Sequence, residues 1–351
     1  MNNTDWTAFL TSQGAHWEHG WVTYFGNNAD NALTSSTNND THILCDLSRD
    51  GLISVTGADA AAFLQNQFCN DVRNVIPSLS QLNAYCSPKG RILAFFRLFQ
   101  RDDIYYLRLP REILEATLKR LRMFVLMSKV TLEDASDTLV RIGFSGPKAG
   151  QLLGEYVKEV PATSDAVAHD GLSIICIQPD TRFEIIGDAT AVGTLWANLS
   201  AQATPVSDAH WVLQDIRAGI PEVVTETQEA FVPQMLNLQA INALSFKKGC
   251  YPGQEIVARM HYLGKLKRRM YLAHIADEAP VAAGTPLFAE DSPSGQGVGK
   301  VVRAQLNPEG GTDLLAVIEI SSAEQRPLHL NNVDGPLLKL LELPYMLDEA
   351  Q

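Results

Sequence analysis

The chain has 351 residues, more than one ordinary domain needs, and its 46% apolar content is enough for packed cores and too high for a disordered polymer. The formal charge of −12 argues against general nucleic-acid binding, and no apolar run reaches the roughly 18 residues of a membrane span. Cys45, Cys69, Cys86, Cys176 and Cys250 are odd in number, sparse and without a C-x-x-C spacing, so neither a disulfide framework nor a closed zinc site is expected, and a reducing cytoplasm is the natural compartment.

The N-terminus, Met1-Asn2-Asn3-Thr4-Asp5-Trp6, has neither the basic start nor the apolar stretch of a signal peptide. Residues 26–41, rich in Asn, Asp, Ser and Thr, read as a mobile loop or a poorly ordered lead-in, and 1–42 is set apart as a variable N-terminal lead-in. Residues 43–56 read as two short strands about a turn at Ser48-Arg49-Asp50-Gly51, after which an alanine-rich helix runs to about Gln67. Thr56 and Asp59 at its start resemble a capping box. Strands follow at 82–87, 92–100 and 104–109, the last two joined at Arg101-Asp102-Asp103. Residues 111–127 carry apolar positions at helical period, and 129–133 return to strand character.

Residues 139–144 read as strand, and Pro147 suits a first helical turn. Strands at 172–177 and 182–186 precede helices at 190–199 and 207–218, the second stopped by Gly219 and Pro221. The order of elements predicts an α+β body, residues 43–266, of two related lobes at about 43–135 and 136–266. Beyond Arg269 the texture changes to short strands between turns such as Ala283-Gly284-Thr285-Pro286 and Ser294-Gly295-Gln296-Gly297, which predicts a C-terminal antiparallel β-barrel over 267–351.

One stretch is unlike the rest: Lys247-Lys248-Gly249-Cys250-Tyr251-Pro252-Gly253-Gln254-Glu255, followed by Ile256-Val257-Ala258-Arg259. Cations stabilise a thiolate, so lysines beside Cys250 favour its reactive form, and the glycines permit tight turns. The plainer reading of Cys250 is a small residue chosen for a turn, and of Lys248 a surface lysine. Cys45 and Cys176, in apolar runs, read as buried hydrophobes. Residues 247–269 hold seven cations against Glu255 alone, a formal +6 that leaves −18 on the remainder. Such a concentrated site suits a carboxylate-bearing cofactor or one stretch of RNA phosphate; a solvated basic face is the alternative.

Joined to its surroundings, this stretch completes a pattern. Val55-Thr56-Gly57-Ala58-Asp59, Phe63-Leu64-Gln65, Ser87-Pro88-Lys89-Gly90-Arg91, Ile216-Arg217-Ala218-Gly219-Ile220-Pro221, Pro233-Gln234-Met235-Leu236-Asn237-Leu238 and K-G-C-Y-P-G-Q-E, in that order, resemble the folate-binding YgfZ family. That family is related to the glycine-cleavage T-protein, an aminomethyltransferase. The resemblance covers about residues 43–346. It implies a pseudo-symmetric folate-binding body with a central channel and a C-terminal β-barrel. It also implies a cytoplasmic accessory factor that binds tetrahydrofolate or a one-carbon derivative and serves iron–sulfur cluster assembly or repair. The implied partners are iron–sulfur enzymes, among them radical-SAM tRNA-modifying enzymes, so that tRNA methylthiolation is affected downstream.

The alternative function is a folate-dependent one-carbon transferase or demethylase. The T-protein's folate-handling carboxylate falls here on Ala94 or Phe95, neither of which can exchange a proton, so aminomethyl transfer is not expected. Direct tRNA binding is permitted by the +6 segment and opposed by the −18 remainder. Cys250 is the candidate reacting group, with Lys248 lowering its pKa. The resemblance makes Trp211 a pterin-stacking residue, against a core aromatic as the alternative, and Glu184 a pterin-pairing carboxylate, against a solvent-facing strand residue. Arg259, one turn beyond a dipole-favoured Glu255, and Tyr251 complete the cofactor-binding candidates, with an exposed Arg as the plainer reading of Arg259. No metal ligands are assigned, because one thiol does not hold a cluster.

Overall fold

The chain passes several times between two compact units, described here from a computed structural model. The first unit comprises Met1–Phe63, Arg73–Gln81 and Arg97–Trp211; the second comprises Leu64–Val72, Leu82–Phe96 and Val212–Gln351. The structure describes residues 3–26, 41–290 and 297–347. Nearly all of the loop expected at 26–41, and most of the turn expected at 294–297, lie outside the described residues.

In chain order the strands are β1 (Ala15–Glu18), β2 (Trp21–Phe25), β3 (His42–Asp46), β4 (Asp50–Thr56), β5 (Gln81–Cys86), β6 (Ile92–Arg101), β7 (Ile104–Pro110), β8 (Thr131–Asp134), β9 (Val140–Ser145) and β10 (Val167–Asp170). They continue as β11 (Leu172–Gln178), β12 (Arg182–Gly187), β13 (Ala203–Val206), β14 (Arg268–Ile275), β15 (Pro286–Ala289), β16 (Gly299–Leu306), β17 (Thr312–Glu319), β18 (Leu328–Leu330) and β19 (Lys339–Leu341).

The first unit holds a six-stranded sheet in the order β10-β11-β12-β9-β3-β13, antiparallel except where β13 runs parallel to β3. Its second sheet is antiparallel and runs from the end of β6 through β7 and β4 to β8. Strand alternation assigns the residues to two cores. Ile174, Cys176, Phe183 and Ile185 point into one, with Leu44, Ile142 and Phe144. Ile175 and Ile186 point the other way, onto Leu52, Phe99 and Tyr106 of the second sheet. Both faces of β11 and β12 are therefore buried, which explains their nearly unbroken apolar runs.

Residues 3–26 contribute to this core through a helix and the hairpin of β1 and β2. The helix Asn3–Ser12 inserts Trp6 and Leu10, both fully buried. Trp6 stands edge-on to Trp196 with centroids 5.8 Å apart, and its Nε1 donates to Asp46 Oδ1 at 2.8 Å. Two expectations are corrected. The helix expected over 111–127 ends at Arg122, whose guanidinium donates through Nε and Nη2 to the Leu132 carbonyl (3.0 and 2.6 Å). Leu126 and Met127, 88% and 98% exposed, lie beyond it, so the apolar run at 124–127 does not report a helix face. Asp59 does not close a capping box with Thr56; its Oδ2 accepts the Lys129 N–H at 2.7 Å.

In the second unit, β5 pairs with β6, and the C-terminal sheet runs β18-β15-β16-β17-β14-β19, antiparallel throughout. The expected barrel is this sheet, curled into a half-barrel. The core of the unit gathers Cys69, Cys86, Phe95, Ile216, Tyr251 and Val317. Among the described residues no helix is long and apolar enough to cross a membrane.

Candidate functional site

The candidate residues fall into two groups, one in each unit. In the first unit the register of β9 and β12 decides the arrangement. Glu184 is paired directly with Gly143, and Ile186 with Arg141. Glu184 and Arg141 therefore share one face of the sheet, opposite the face of Ile142, Phe183 and Ile185. Glu184 is not solvent-facing: it is fully buried. Its Oε2 lies 3.5 Å from Arg108 Nη2 and its Oε1 3.8 Å from Arg141 Nε, ion-pair distances that leave both oxygens without a hydrogen bond.

The two arginines are held from the other side. Arg108 Nη1 donates to Asp50 Oδ2 at 2.8 Å. Arg141 Nη2 donates to the carbonyls of Leu47, at 2.6 Å, and of Asp50. Burial pulls the Arg141 pKa below its ordinary value, partly offset by the Asp50 and Glu184 carboxylates. A charged strand residue amid the apolar run Leu139–Phe144 is the sequence signal for Arg141; nothing comparable marks Arg108.

Trp211 is buried, 4% exposed, and belongs to a small core with Ile43, Cys45 and Val206. Its indole occupies the space left by Gly143, where a Cβ would stand 2.5 Å from Cε3. The Arg182 guanidinium lies 4.0 Å from the ring centroid, and its Nη2 donates to the Trp211 carbonyl at 3.4 Å. One face of the indole thus already carries a cation.

In the second unit Cys250 is exposed, whereas Cys45, Cys69, Cys86 and Cys176 are buried. Burial pushes the Cys45 thiol well up and the Cys176 thiol up to about 11, so these two are inert hydrophobes. A hydrogen bond with Cys69 and then burial push Cys86 well up. Lys248, 5% exposed, is no surface lysine. Its Nζ donates to the backbone carbonyls of Gln65 (2.6 Å), Phe68 and Asn70 (3.2 Å), and lies 5.2 Å from the Tyr251 ring centroid. Three carbonyls converge there because the helix Ala60–Gln67 ends at that point and leaves C-terminal acceptors for a cation. Tyr251 is buried, and burial, with Cys69 and Cys86 nearby, raises its pKa.

The loop that presents Cys250 is locked at both ends. Gly253, with φ +83°, starts the helix Gln254–Tyr262 and lies against the turn Ser87-Pro88-Lys89-Gly90. Two motifs distant in sequence therefore meet in one unit. Glu255 stands in the first helical turn, where a carboxylate favours the dipole, and Arg259 is exposed on the last turn. Ala94 and Phe95 on β6 are both buried, with Phe95 in the apolar core. Among the described residues no group of three or more His, Cys, Asp or Glu is placed to hold a metal ion.

Comparison with known proteins agrees with the fold. Residues 8–175 match the family described as the GCVT N-terminal domain. The aminomethyltransferase T of the glycine cleavage system from Bartonella henselae superposes with a TM-score of 0.72 at 15% identity, covering 96% of each chain. This shows an aminomethyltransferase-like fold. In sequence the chain is 31% identical over 306 residues to the tRNA-modifying protein YgfZ of Colwellia psychrerythraea, covering 87% of this chain and 93% of that one. It is 32% identical over 301 residues to the protein of the same name from Yersinia enterocolitica, covering 85% and 91%. The chain belongs to the YgfZ family.

Proposed function

We propose that this chain is a tetrahydrofolate-binding accessory factor for iron–sulfur proteins, cytoplasmic, whose action is read out in tRNA modification. The observation that carries the reading is the contrast among the cysteines. Four are buried, and Cys250 alone is exposed, on a turn fixed by the buried Lys248 and by Gly253. One thiol is one ligand, and a cluster typically takes four. Cys250 therefore acts on a cluster, or on sulfur, that its client holds.

The link to tRNA comes from the names of the relatives, tRNA-modifying proteins. Folate is implied by the aminomethyltransferase-like fold, and the residues of the first unit fit it. Glu184 has two buried oxygens that accept no hydrogen bond, the complement of a pterin edge with two N–H donors. Arg108 and Arg141 hold that carboxylate in place, and Trp211 forms a wall beside it. When bound, a reduced folate would supply a one-carbon carrier or a reductant. Aminomethyl transfer is disfavoured, because the apolar Ala94 and Phe95 are buried where a carboxylate would have to act.

Two measurements test this. Calorimetric titration of the whole chain with tetrahydrofolate should show binding that Glu184→Gln weakens at least tenfold and Cys250→Ala leaves intact. Complementation of a strain lacking the protein, scored by methylthiolated tRNA nucleosides, should fail with a folded Cys250→Ala variant. Full complementation by that variant removes the thiol from the reading; absence of any folate binding removes the cofactor.

A further inference from the structure

The basic segment is not one uniform patch. Lys248 is buried among carbonyls, and Arg268 Nη2 pairs with Glu319 Oε1 at 3.0 Å. Lys247, Arg259, Lys265 and Lys267 are instead exposed, and no carboxylate among the described residues pairs with them. In sequence these four flank an aromatic group, Lys247 next to Phe246 and Arg259, Lys265 and Lys267 within five residues of Tyr262. Phe246 and His261 stack with centroids 3.8 Å apart and planes 11° from parallel. Tyr262 stands edge-on to His261 at 4.6 Å and to Phe246 at 6.4 Å. Tyr262 is 66% exposed and the next residue, Leu263, 84%. Large rings are seldom left in water beside unpaired cations on a chain of net charge −12 without something to cover them.

We propose that this face of the second unit, built on Phe246, His261 and Tyr262 and rimmed by Lys247, Arg259, Lys265 and Lys267, binds single-stranded RNA. The chemistry is specific to that partner. A base offers a flat π-face to Tyr262 and to the Phe246–His261 stack, while its phosphates meet the four cations. A duplex hides its base faces and needs extended phosphate tracking, which the acidic remainder of the chain opposes. An acidic protein would satisfy the cations and leave the rings unused. Arg259 is a cofactor candidate by resemblance, but it lies in the second unit and Glu184 in the first, and the variants used below, at Tyr262, Lys265 and Lys267, touch no residue of the folate reading.

The test is fluorescence anisotropy of the full chain with a labelled RNA stem-loop, with the same stem as a blunt duplex for comparison, across a salt series. Stem-loop binding should weaken with salt at a log–log slope of about −3, as expected for up to four phosphate contacts to a single strand. Tyr262→Ala should weaken it about tenfold, Tyr262→Phe should preserve it, and Lys265→Glu with Lys267→Glu should roughly halve the slope. Tetrahydrofolate affinity of Tyr262→Ala should remain that of the wild type, which separates failure here from failure of the folate reading. Absence of stem-loop binding, equal binding of the duplex, or wild-type RNA affinity in Tyr262→Ala would each overturn the proposal. So would displacement of the stem-loop by an equal charge of polyglutamate, the result expected of an acidic-protein site.

Discussion

Gly253 and Gly90 are in backbone contact: a Cβ on Gly253 would stand 2.7 Å from the Gly90 Cα and closer still to the Ser87 carbonyl oxygen. Neither neighbour is the end of a flexible side chain, and Gly253 has φ +83° besides. A side chain there must both enter the left-handed region and push the turn 87–90 away. Gly253→Ala is expected to destabilise the second unit by about 2–4 kcal/mol and to lower the melting temperature. Gly249, four residues earlier, has open space where a Cβ would go, so Gly249→Ala should cost about 0.5 kcal/mol or less. Thermal unfolding followed by circular dichroism compares the two; equal shifts would contradict the packing described.

Lys248 holds three carbonyls of Gln65, Phe68 and Asn70 in place, so its removal strands acceptors at a buried helix end. Lys248→Met keeps the length of the side chain and loses the donors, and should cost about 2–4 kcal/mol in chemical denaturation. A second readout separates structure from activation. Alkylation of Cys250 in the folded variant reads any direct influence of the ammonium on the thiol; an unchanged rate would confine Lys248 to holding the loop.

How far the sequence shows this molecule depends on the range of the cause. Strands 172–177 and 182–186, and the stop at Gly219, follow from local pattern, and Gly219 does take φ +68°. The K-G-C-Y-P-G-Q-E run announces a built turn because its glycines are local requirements. The helix overrun at 124–127 arises because apolar spacing continues past a terminus set by Arg122 reaching Leu132 on β8. Lys248 is legible as a site lysine but not as a buried one, since its three carbonyls lie about 180 positions away in the chain. The N-terminal segment carries Trp6, Trp17 and Trp21, yet that Trp6 meets Asp46 and Trp196 is a long-range pairing that no local pattern reveals.

The cysteine contrast can be counted directly. An aromatic disulfide reagent added to the native chain should release about one equivalent of thiolate quickly, since buried thiols are inert. Unfolding in guanidinium should expose all five thiols. Cys250→Ala should abolish the fast phase and leave stability within about 0.5 kcal/mol of wild type, as for other exposed substitutions. A fast phase of two or more would mean that Cys69 and Cys86 open to solvent.

His210, beside Trp211 and 3% exposed, gives the first unit a pH dependence with a definite sign. Burial pulls its pKa below the ordinary imidazole value of 6.5, partly offset by the Ser207 backbone. The folded chain therefore resists protonation that the unfolded chain accepts. The stability this contributes is fully present above pH 6.5 and is lost as pH falls from there towards the folded pKa. Asp46 works in the opposite direction, because burial raises its pKa and acidification relieves its buried charge. Wild type must accordingly be compared with a variant rather than with itself. Between about pH 7.5 and 5, His210→Leu should lose less stability than wild type, the gap growing by at most about 1.4 kcal/mol per pH unit, the limit for one proton. Parallel curves for the two proteins would show that this imidazole is charged in the fold or reaches solvent.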